Sequence, residues 1–584
     1  MQTFHADVII VGAGGAGLSA GIAVAEQDPS LRVALVSKVY PMRSHTVAAE
    51  GGAAAVIRAP DTLEDHFRDT VSGGDWLCDQ DAVDLFVAEA PKALTRLEHW
   101  GCPWSRAEDG RVQVRSFGGM KNERTWFAAD KSGFHILHTL FQTSQRFPSI
   151  QRFDEVYALD LLVAEGAVGG LTGLSMQTGE AMVLLAPSVI IATGGAGRVF
   201  PFTTNGAIKT GDGMAMAYRA GVALKDIEFM QTHPTGLPGT GILITEGARG
   251  EGGILVNKDG CRYLQDYNLG PPDPWPRRKA MEMGPRDRLS QAFWHEQKKG
   301  RTIKTSAGDD VVHLDIRKLG EKFIDERLPM VRELSRAYVG VDPVVAPIPV
   351  RPVVHYTMGG IDTNIDTATD LAGLYAAGEC ACVSINGPNR LGSNSLTEIL
   401  VFGTRAGLQA ADRARSQVDR PATNWDAQIQ ASFGKVSGLM ARTAGNESIV
   451  GLRGQLHGLM EGAAGIYRED APLRAACAEI AGLRRRYREL AISDHSKVFN
   501  TQLFQALELG AMLEIGEAMV HSALARRESR GAHQRLDFPQ RDDVQFLHHS
   551  IARSGGQDAP SIEHKPVNIS RWPPGERVYG GAAK

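Results

Sequence analysis

Short runs of apolar residues alternate with glycine-rich turns at the start of the chain. Residues 8–11 are apolar throughout, and they are followed by Gly12 to Gly17, a stretch in which four of six residues are glycine. An alanine-rich stretch then continues to Ala25, and a second apolar run covers residues 31–36. Continuous apolar runs of this length are typical of strands buried on both faces. The pattern predicts strand, glycine turn, helix and strand in succession, as at the beginning of an α/β domain.

The same pattern returns further along the chain. An apolar run at 187–192 leads into the glycines of 193–197, and a shorter example follows at 373–379. The segment from about 231 to 350 differs, because it holds polar loops and a proline-rich stretch at 271–276. An α/β domain interrupted by an inserted domain accounts for this order. We expect the α/β domain in two parts, 1–230 and 353–420, and the inserted domain at 231–352.

Helical periodicity replaces this pattern beyond Asn424. Residues 473–490 are rich in alanine, leucine, arginine and glutamate, which is typical of a small helical bundle. From Asp537 onward, prolines, charges and scattered aromatic residues predict an extended segment that lies on other surfaces. We expect a helical domain at 421–540 and a C-terminal tail at 541–584.

Length and composition narrow the class of protein. A chain of 584 residues is too long for one core, so several domains are expected. The net charge of -4 gives no electrostatic case for nucleic acid binding. Apolar stretches are shorter than the roughly 20 residues that cross a bilayer, and no apolar leader precedes the first strand. The six cysteines form no CxxC pair, so we expect neither an iron-sulfur centre nor another metal site. The scattered cysteines predict a reducing compartment.

The first glycine turn has the spacing of a dinucleotide-binding site. Gly12 permits a tight turn, Gly14 allows a pyrophosphate to approach the backbone, and Gly17 allows close packing of helix and strand. An acidic residue usually ends the second strand of an NAD site, whereas Ser37 and Lys38 stand there. FAD is therefore favoured over free NAD.

Many further motifs occur in an order that resembles the flavoprotein subunits of fumarate reductase and succinate dehydrogenase, over essentially the full length. The bacterial quinol:fumarate reductase type is the most similar. The segments that carry the resemblance are 12–17, 43–46 (Arg-Ser-His-Thr), 50–52, 192–197, 231–236, 245–253, 284–287, 355–360, 389–395 and 577–581.

The resemblance implies a multidomain α/β fold. It consists of a Rossmann-like FAD-binding domain with an inserted α+β capping domain, followed by a helical bundle domain and an extended C-terminal tail. The activity implied is hydride transfer between FAD and fumarate or succinate.

A dicarboxylate requires hydrogen-bond donors or positive groups at both ends, since an unpaired buried carboxylate is costly. His233, Thr245, His355 and Arg390 have suitable side chains, and Arg390 offers a bidentate fork. The resemblance assigns the substrate to these four residues.

The resemblance also assigns catalysis. Arg286 is expected to donate the proton, with Glu246 and Arg249 as the relay to solvent. A guanidinium with a pKa above ~12 is an unusual general acid. Its role is reasonable if it stabilises the developing carbanion and is reprotonated through Glu246. The alternative for Arg286 and Glu246 is a structural ion pair.

The histidine of the Arg-Ser-His-Thr motif, His45, is expected to carry the FAD covalently, as the resemblance implies. Arg43 and Lys38 are candidates to stabilise negative charge on the reduced ring system. The other expected cofactor contacts are Gly12, Gly14, Gly15, Gly17, Ser37, Lys38, Ser44, Thr46, Gly51, Gly52, Asp212, Glu379, Ser395 and Leu396.

The chain departs from the family pattern in one loop. Asn386-Gly387-Pro388 stands where the family usually has His-Gly-Ala, and Thr397 replaces a common alanine. These changes bear on the flavin potential and on loop rigidity more than on substrate identity.

Partners are implied by the resemblance: an iron-sulfur subunit and membrane anchors, with quinol as the electron source at the cytoplasmic face of the inner membrane. Fumarate reduction is favoured over succinate oxidation because segments 102–105 and 125–130 resemble the bacterial reductase more than the dehydrogenase. The alternatives are a soluble L-aspartate oxidase-like flavoenzyme and a flavin-binding scaffold without activity.

Overall fold

The computed structural model describes residues 1–267, 269, 281–416, 423–442 and 445–577. The proline-rich stretch at 271–276, the expected boundary at 420 and residues 578–581 of the closing motif lie outside these ranges.

The described residues contain the following α-helices and β-strands. In the first part of the α/β domain these are β1 (Gln2–His5), β2 (Val8–Val11), α1 (Gly15–Gln27), β3 (Val33–Ser37), β4 (Ala53–Ala54), α2 (Leu63–Gly73), α3 (Gln80–His99), β5 (Val114–Arg115), β6 (Thr125–Trp126), α4 (Ser132–Ser144), β7 (Ile150–Asp154), β8 (Val156–Ala164), β9 (Ala167–Ser175), β10 (Ala181–Leu185), β11 (Ser188–Ile191), α5 (Asp212–Arg219) and β12 (Leu224–Lys225). In the inserted segment they are β13 (Met230–Gly236), α6 (Glu246–Gly250), β14 (Ile254–Val256), α7 (Arg286–Lys298), β15 (Ile303–Lys304), β16 (Asp310–Asp315), α8 (Glu321–Arg327), α9 (Pro329–Val339) and β17 (Ile348–Thr357). The chain then forms β18 (Gly360–Asp362), β19 (Leu374–Ala376), β20 (Ala381–Cys382) and α10 (Asn394–Ser416). The C-terminal part contains α11 (Asp426–Ala441), α12 (Ile449–Ala464), β21 (Tyr467–Arg468), α13 (Asp470–Tyr487), α14 (Thr501–Ala525), β22 (Gln534–Arg535), β23 (His548–Arg553) and β24 (Ser561–Pro566).

The α/β domain is built on a parallel sheet with strand order β19-β11-β2-β3-β7. Successive side chains of β2 enter two different cores: Ile9 and Val11 pack on one face, and Val8 and Ile10 on the other. Burial on both faces explains why the strand is continuously apolar. The predicted order of strand, glycine turn, helix and strand is confirmed, and the second strand begins at Val33.

The inserted segment is joined to the α/β domain by two long strands. β13 pairs antiparallel with β17, so that His233 lies opposite Val353. The expected boundaries at 230 and 352 fall within these paired strands. The inserted segment has its own apolar core, which includes Leu255, Phe293 and Leu314.

The helices α11 to α14 follow, and α14 is buried along most of its length because it packs between the other helices and the α/β domain. The C-terminal segment is more regular than the expected extended tail. β23 pairs with β12 and with β24, and therefore adds a hairpin to the sheet β20-β18-β12-β23-β24. Residues 549–552 of β23 are buried throughout, because the strand covers β12, which would otherwise be an edge of the sheet.

Beyond β24 the chain runs without regular structure over α2 and α3. The backbone carbonyl of Trp572 accepts a hydrogen bond from Gln80 at 2.7 Å, and Arg571 pairs with Glu64 and with Asp84. Among the described residues, no helix is both long and apolar enough to cross a membrane.

Candidate functional site

A cavity of about 730 Å³ opens at the carboxyl ends of the parallel strands. Its wall is formed by the loops that follow β2, β3, β11 and β19, together with the start of β8, the segment 44–50 and the start of α10. In open parallel sheets, ligands bind at this end of the strands. The volume lies in the range of cofactor and substrate sites.

The first glycine turn forms one wall of the cavity. Gly12 has φ +111°, and a Cβ atom there would lie 2.2 Å from the carbonyl oxygen of Ala192. A Cβ atom at Gly17 would lie 1.8 Å from the oxygen of Gly12, so helix α1 could not pack as it does. Gly14 and the first residue of α1, Gly15, line the cavity. A backbone surface at the start of a 13-residue helix fits a pyrophosphate, as expected for FAD.

The other expected cofactor residues fall into two groups. Gly51 and Gly52 serve close packing instead of lining the cavity: a Cβ atom at Gly52 would lie 2.3 Å from the oxygen of Trp126, and one at Gly51 would lie 2.9 Å from the ring of Phe117. The expected residues that line the cavity are Gly12, Gly14, Gly15, Ser37, Lys38, Ser44, His45, Thr46, Asp212, Glu379, Ser395 and Leu396.

Two lysines on the cavity wall are already paired. Lys38 Nζ contacts Asp212 Oδ2 at 2.5 Å and Glu508 Oε1 at 2.7 Å. Burial alone would lower the pKa of Lys38, but these two carboxylates raise it above its usual value. Lys209 pairs with Glu379. Lys209 and Glu508 were missed by sequence reasoning, because Glu508 lies on a distant helix and Lys209 belongs to no recognised motif.

His45 lies in a 3₁₀ turn at the cavity wall. Its Nδ1 accepts a hydrogen bond from the backbone N–H of Gly206 at 3.3 Å, which leaves Nε2 for a ligand. Burial, together with the charges of Lys209 and Arg198, holds the pKa of His45 well below its usual value, so the ring is neutral. Arg43 is exposed and does not line the cavity, so Lys209 and Arg198 are the cations near this ring.

The two expected substrate histidines lie side by side on β13 and β17. The ring centroids of His233 and His355 are 5.2 Å apart. His233 Nδ1 accepts from the backbone N–H of Thr235 at 3.3 Å, and His355 Nδ1 contacts Thr204 Oγ1 at 2.8 Å. Burial and the charge of Arg286 hold both pKa values well below the usual value. Neutral His233 therefore carries its proton on Nε2, where it can donate to a ligand.

Arg390 lies beside these histidines, and no carboxylate of the described residues is in direct contact with it. Its guanidinium lies over the ring of Tyr356 at 4.3 Å, and Nη1 donates to Ser395 Oγ at 3.1 Å. Its Nε atom is buried and has no hydrogen-bond partner in the part of the chain that the structure describes. Burial and the nearby charge of Arg286 lower its pKa to about 10. A buried guanidinium that lacks an acceptor is suited to binding an anion.

Arg286 begins helix α7 and binds Glu246, which begins helix α6. The Nε and Nη2 atoms of Arg286 each lie 2.9 Å from Glu246 Oε2, and Arg249 Nη2 lies 3.7 Å from the same oxygen. Burial alone would raise the pKa of Glu246, but the two arginines lower it. Thr245 accepts from the N–H of Gly247 at 3.3 Å, so its hydroxyl proton can be donated to a ligand.

The structure brings the expected catalytic and substrate residues into one buried group. Arg286 and Arg249 share Glu246, and the charges of Arg286, Arg249 and Arg390 all act on His233, so positive charge exceeds negative charge around this histidine. A dianion would balance the difference.

Two further residues of this group were missed by sequence reasoning. Gln231 joins the two arginines, since its Oε1 accepts from Arg286 Nη1 at 3.1 Å and its Nε2 donates to the carbonyl of Arg390 at 2.8 Å. Glu50 lines the cavity, and burial and the neighbouring Asp130 raise its pKa to about 8. Gln231 and Glu50 belong to the segments 231–236 and 50–52, in which the sequence analysis assigned roles only to neighbouring residues.

Two family models match most of this chain. The family model for the FAD binding domain matches residues 7–396, and the model for the fumarate reductase flavoprotein C-terminal region matches 453–579. The fumarate reductase flavoprotein subunit of Mycobacterium tuberculosis is 59% identical over 99% of this chain and 100% of its own length. The succinate dehydrogenase flavoprotein subunit of Rickettsia bellii is 39% identical over 98% of each chain.

Solved structures give the same result. A quinol-fumarate reductase with menaquinol molecules matches with a TM-score of 0.96 at 56% identity, covering 98% of this chain and 100% of the other. Mycobacterium smegmatis Sdh1 in complex with UQ1 matches with a TM-score of 0.85 at 35% identity, over 98% and 96% of the two chains. The chain therefore belongs to the family of fumarate reductase and succinate dehydrogenase flavoprotein subunits, and it contains that family's FAD-binding domain.

Proposed function

We propose that the protein is the catalytic flavoprotein subunit of a membrane-associated fumarate reductase, which reduces fumarate to succinate. The observation that carries the proposal is the buried positive charge of Arg286, Arg390 and Arg249 around His233 and His355, of which His355 lines the cavity. A four-carbon dianion supplies the missing negative charge and the missing acceptors.

The residues present fit FAD. The glycine turn and the start of α1 would hold the pyrophosphate, while Asp212 and Glu379 are acceptors suited to the hydroxyl groups. His45 would carry the covalent link on Nε2. Because the backbone N–H of Gly206 occupies the lone pair of Nδ1, the neutral ring holds its proton on Nε2, and this proton would have to leave as the link forms. When bound, FAD supplies a hydride for one olefinic carbon of the substrate.

The substrate would be held through both of its carboxylates. Arg390 offers a fork for bidentate binding, and its buried Nε has no other acceptor. Neutral His233 and His355 and the hydroxyl of Thr245 add donors without adding charge. These fixed donors orient the double bond before the reaction, which lowers the entropic part of the barrier.

Arg286 would give a proton to the second olefinic carbon. Its guanidinium also stabilises the negative charge that develops there. Glu246 lies 2.9 Å from Arg286 and can return the proton, with Arg249 next in the relay. The product gains one hydride and one proton, as the conversion of fumarate to succinate requires.

The degree of identity to the named relatives favours fumarate reduction over succinate oxidation. Subunits named fumarate reductase are 56–59% identical to this chain, whereas those named succinate dehydrogenase are 39% identical. By analogy with the quinol-fumarate reductase, electrons would come from quinol through an iron-sulfur subunit, with membrane anchor subunits holding the protein at the cytoplasmic face. Succinate oxidation is the reverse reaction at the same residues.

Two measurements on the purified holoenzyme test this proposal. We expect flavin fluorescence to remain with the protein band on a denaturing gel, and fumarate to drive oxidation of a reduced viologen dye. Fluorescence that is lost on denaturation, together with L-aspartate-dependent peroxide formation, would support the oxidase. Retained fluorescence without turnover would support the scaffold.

His45→Ser is the matched variant for the cofactor. It should leave FAD bound but extractable by acid, and it should impair succinate oxidation more than fumarate reduction, because loss of the link lowers the flavin potential. Equal impairment of both directions would contradict this effect on potential.

A further inference from the structure

Helix α7 is fixed at its start by the far end of the chain. Asp287, which follows Arg286, binds Arg577: Nη1 lies 2.6 Å from Asp287 Oδ2, and Nη2 lies 3.1 Å from Oδ1. The side chains of Arg577 and Asp287 are only 7% and 2% exposed. Two parallel N–H···O bonds in a buried place give a strong and directional contact. The helix that carries Arg286 is therefore held in orientation from outside the inserted segment.

The same guanidinium also reaches the α/β domain. Arg577 Nη2 lies 3.4 Å from the carbonyl oxygen of Gly73, the last residue of α2. Asn389, which precedes Arg390, donates from Nδ2 to this same oxygen at 3.2 Å. Arg577 thus connects the neighbour of Arg286 to the neighbour of Arg390.

Gln231 makes the second connection between these two places. Its Oε1 accepts from Arg286 Nη1 at 3.1 Å, and its Nε2 donates to Asn389 Oδ1 at 3.1 Å. A closed ring of contacts results, passing in order through Arg286, Gln231, Asn389, Gly73, Arg577 and Asp287. A closed ring restricts the separation of the two arginines more than either connection alone.

We propose that Arg577 is a positioning residue, which fixes Arg286 relative to Arg390 by closing this ring. The inference rests on the proposed function, because it assigns the two arginines to proton donation and carboxylate binding. Arg577 touches no reacting atom. Its effect would arise because a displacement of about 1 Å at a reacting group can cost on the order of 100-fold in rate.

The test is Arg577→Gln in the complete holoenzyme, with fumarate-dependent oxidation of a reduced viologen dye measured per bound flavin. We expect kcat to fall about 10- to 100-fold. The solvent deuterium isotope effect on kcat should rise, since proton donation from a displaced Arg286 becomes slower. Arg577→Lys keeps a cation for Asp287 and should recover part of the loss.

The matched control is Arg571→Gln. Arg571 belongs to the same C-terminal segment and pairs with Glu64 and Asp84, but its side chain is 39% exposed and it has no contact in the ring. Its kcat should stay close to the parent value. An equal loss of kcat in both variants would mean that Arg577 only holds the C-terminal segment in place, and it would overturn the inference.

A double-mutant cycle provides the sharpest measurement. Asp287→Asn and Arg577→Gln break the same contact, so the double variant should lose little more activity than either single variant. Additive losses, or a kcat for Arg577→Gln near the parent value, would overturn the inference. If Arg577→Gln does not fold, Arg577→Lys and Asp287→Asn give the same comparison.

Binding of malonate, a dicarboxylate that does not react, separates this inference from the proposed function. Its dissociation constant is measured from the change in flavin absorbance. We expect weaker binding in Arg577→Gln, by a smaller factor than the loss in kcat. A parent protein that binds malonate but does not reduce fumarate would refute the proposed function. The comparison of malonate affinity between parent and variant would still test the ring in that case. Equal malonate affinity in the two proteins would refute the ring.

Discussion

Two groups of buried arginines differ in how they are paired. The ligand cluster consists of Arg249, Arg286 and Arg390, of which Arg249 and Arg286 share Glu246. The junction cluster, which consists of Arg526, Arg530 and Arg535, lies where the end of α14 meets the C-terminal hairpin. The buried arginine side chains of both clusters are at most 10% exposed where they pair with acids.

The junction cluster has enough carboxylates. Arg526 Nε lies 2.7 Å from Glu228 Oε1, and its Nη1 lies 3.0 Å from Glu528 Oε1. Arg530 shares Glu528 at 2.8 Å, and Arg535 binds Asp537 at 2.7 Å. Burial alone would lower the pKa of Arg526, but these carboxylates raise it.

The ligand cluster shows the opposite shift. Burial lowers the pKa of Arg390 and of Arg249, and the charge of Arg286 lowers both further. Glu246 opposes the shift at Arg249, and Glu379 and Glu398 oppose it at Arg390 without reversing it. Burial is common to both clusters, so it does not distinguish a site from a scaffold. The lack of acceptors does, because an arginine that is buried without one is tolerated where a ligand provides it.

The largest expected effect comes from Arg286→Gln in the ligand cluster. Fumarate reduction should fall about 10²- to 10⁴-fold, the usual contribution of general acid catalysis. FAD content should change little, and the free energy of unfolding should fall less than in Arg526→Gln, because Glu246 keeps Arg249 and the backbone N–H of Gly118 as partners. Dye oxidation kinetics and denaturant unfolding check both. Near-normal turnover would remove Arg286 from the proton path.

The corresponding change in the junction cluster is Arg526→Gln. It leaves Glu228 and Glu528 buried with less compensation, so we expect a loss of about 3–5 kcal/mol in the free energy of unfolding. Turnover per folded molecule should be retained. Chemical denaturation measures the loss. If Arg526→Gln were destabilised no more than Arg286→Gln, the two clusters would not differ in how their arginines are compensated.

His549 gives the junction region a pH dependence. Burial alone would lower its pKa, but Asp226 and Asp79 raise it to about 9. The charged form therefore stabilises the fold fully below about pH 6.5, and this contribution is lost as the pH rises to about 9. The loss should be on the order of 3 kcal/mol. Unfolding from pH 6 to 10 should show this slope, and His549→Gln should remove it.

Glu50 gives the ligand side a smaller pH dependence. Its pKa of about 8 means that it is neutral below that pH and becomes an anion above it. It accepts a hydrogen bond from the backbone of Thr245, so its charge would repel a bound dicarboxylate. Malonate affinity should fall up to about tenfold above pH 8. Glu50→Gln should abolish this fall, and a retained pH dependence would assign it to another group.

The sequence alone determined the elements and the residue types of the site. The glycine turn, the helix that follows it and the flanking strands are local, so the requirement for Gly12 and Gly17 could be stated from spacing. The motifs also led to His233, His355 and Arg390, which the structure brings together on neighbouring segments.

Tertiary structure decided the pairing. Lys38 meets Glu508 across 470 residues, and Arg577 meets Asp287 across 290. Contacts of this kind have no period and no spacing rule, because they depend on how whole domains pack. The difference between an arginine with an acceptor and one without is likewise a property of the packed molecule, since residue type and burial are the same in both.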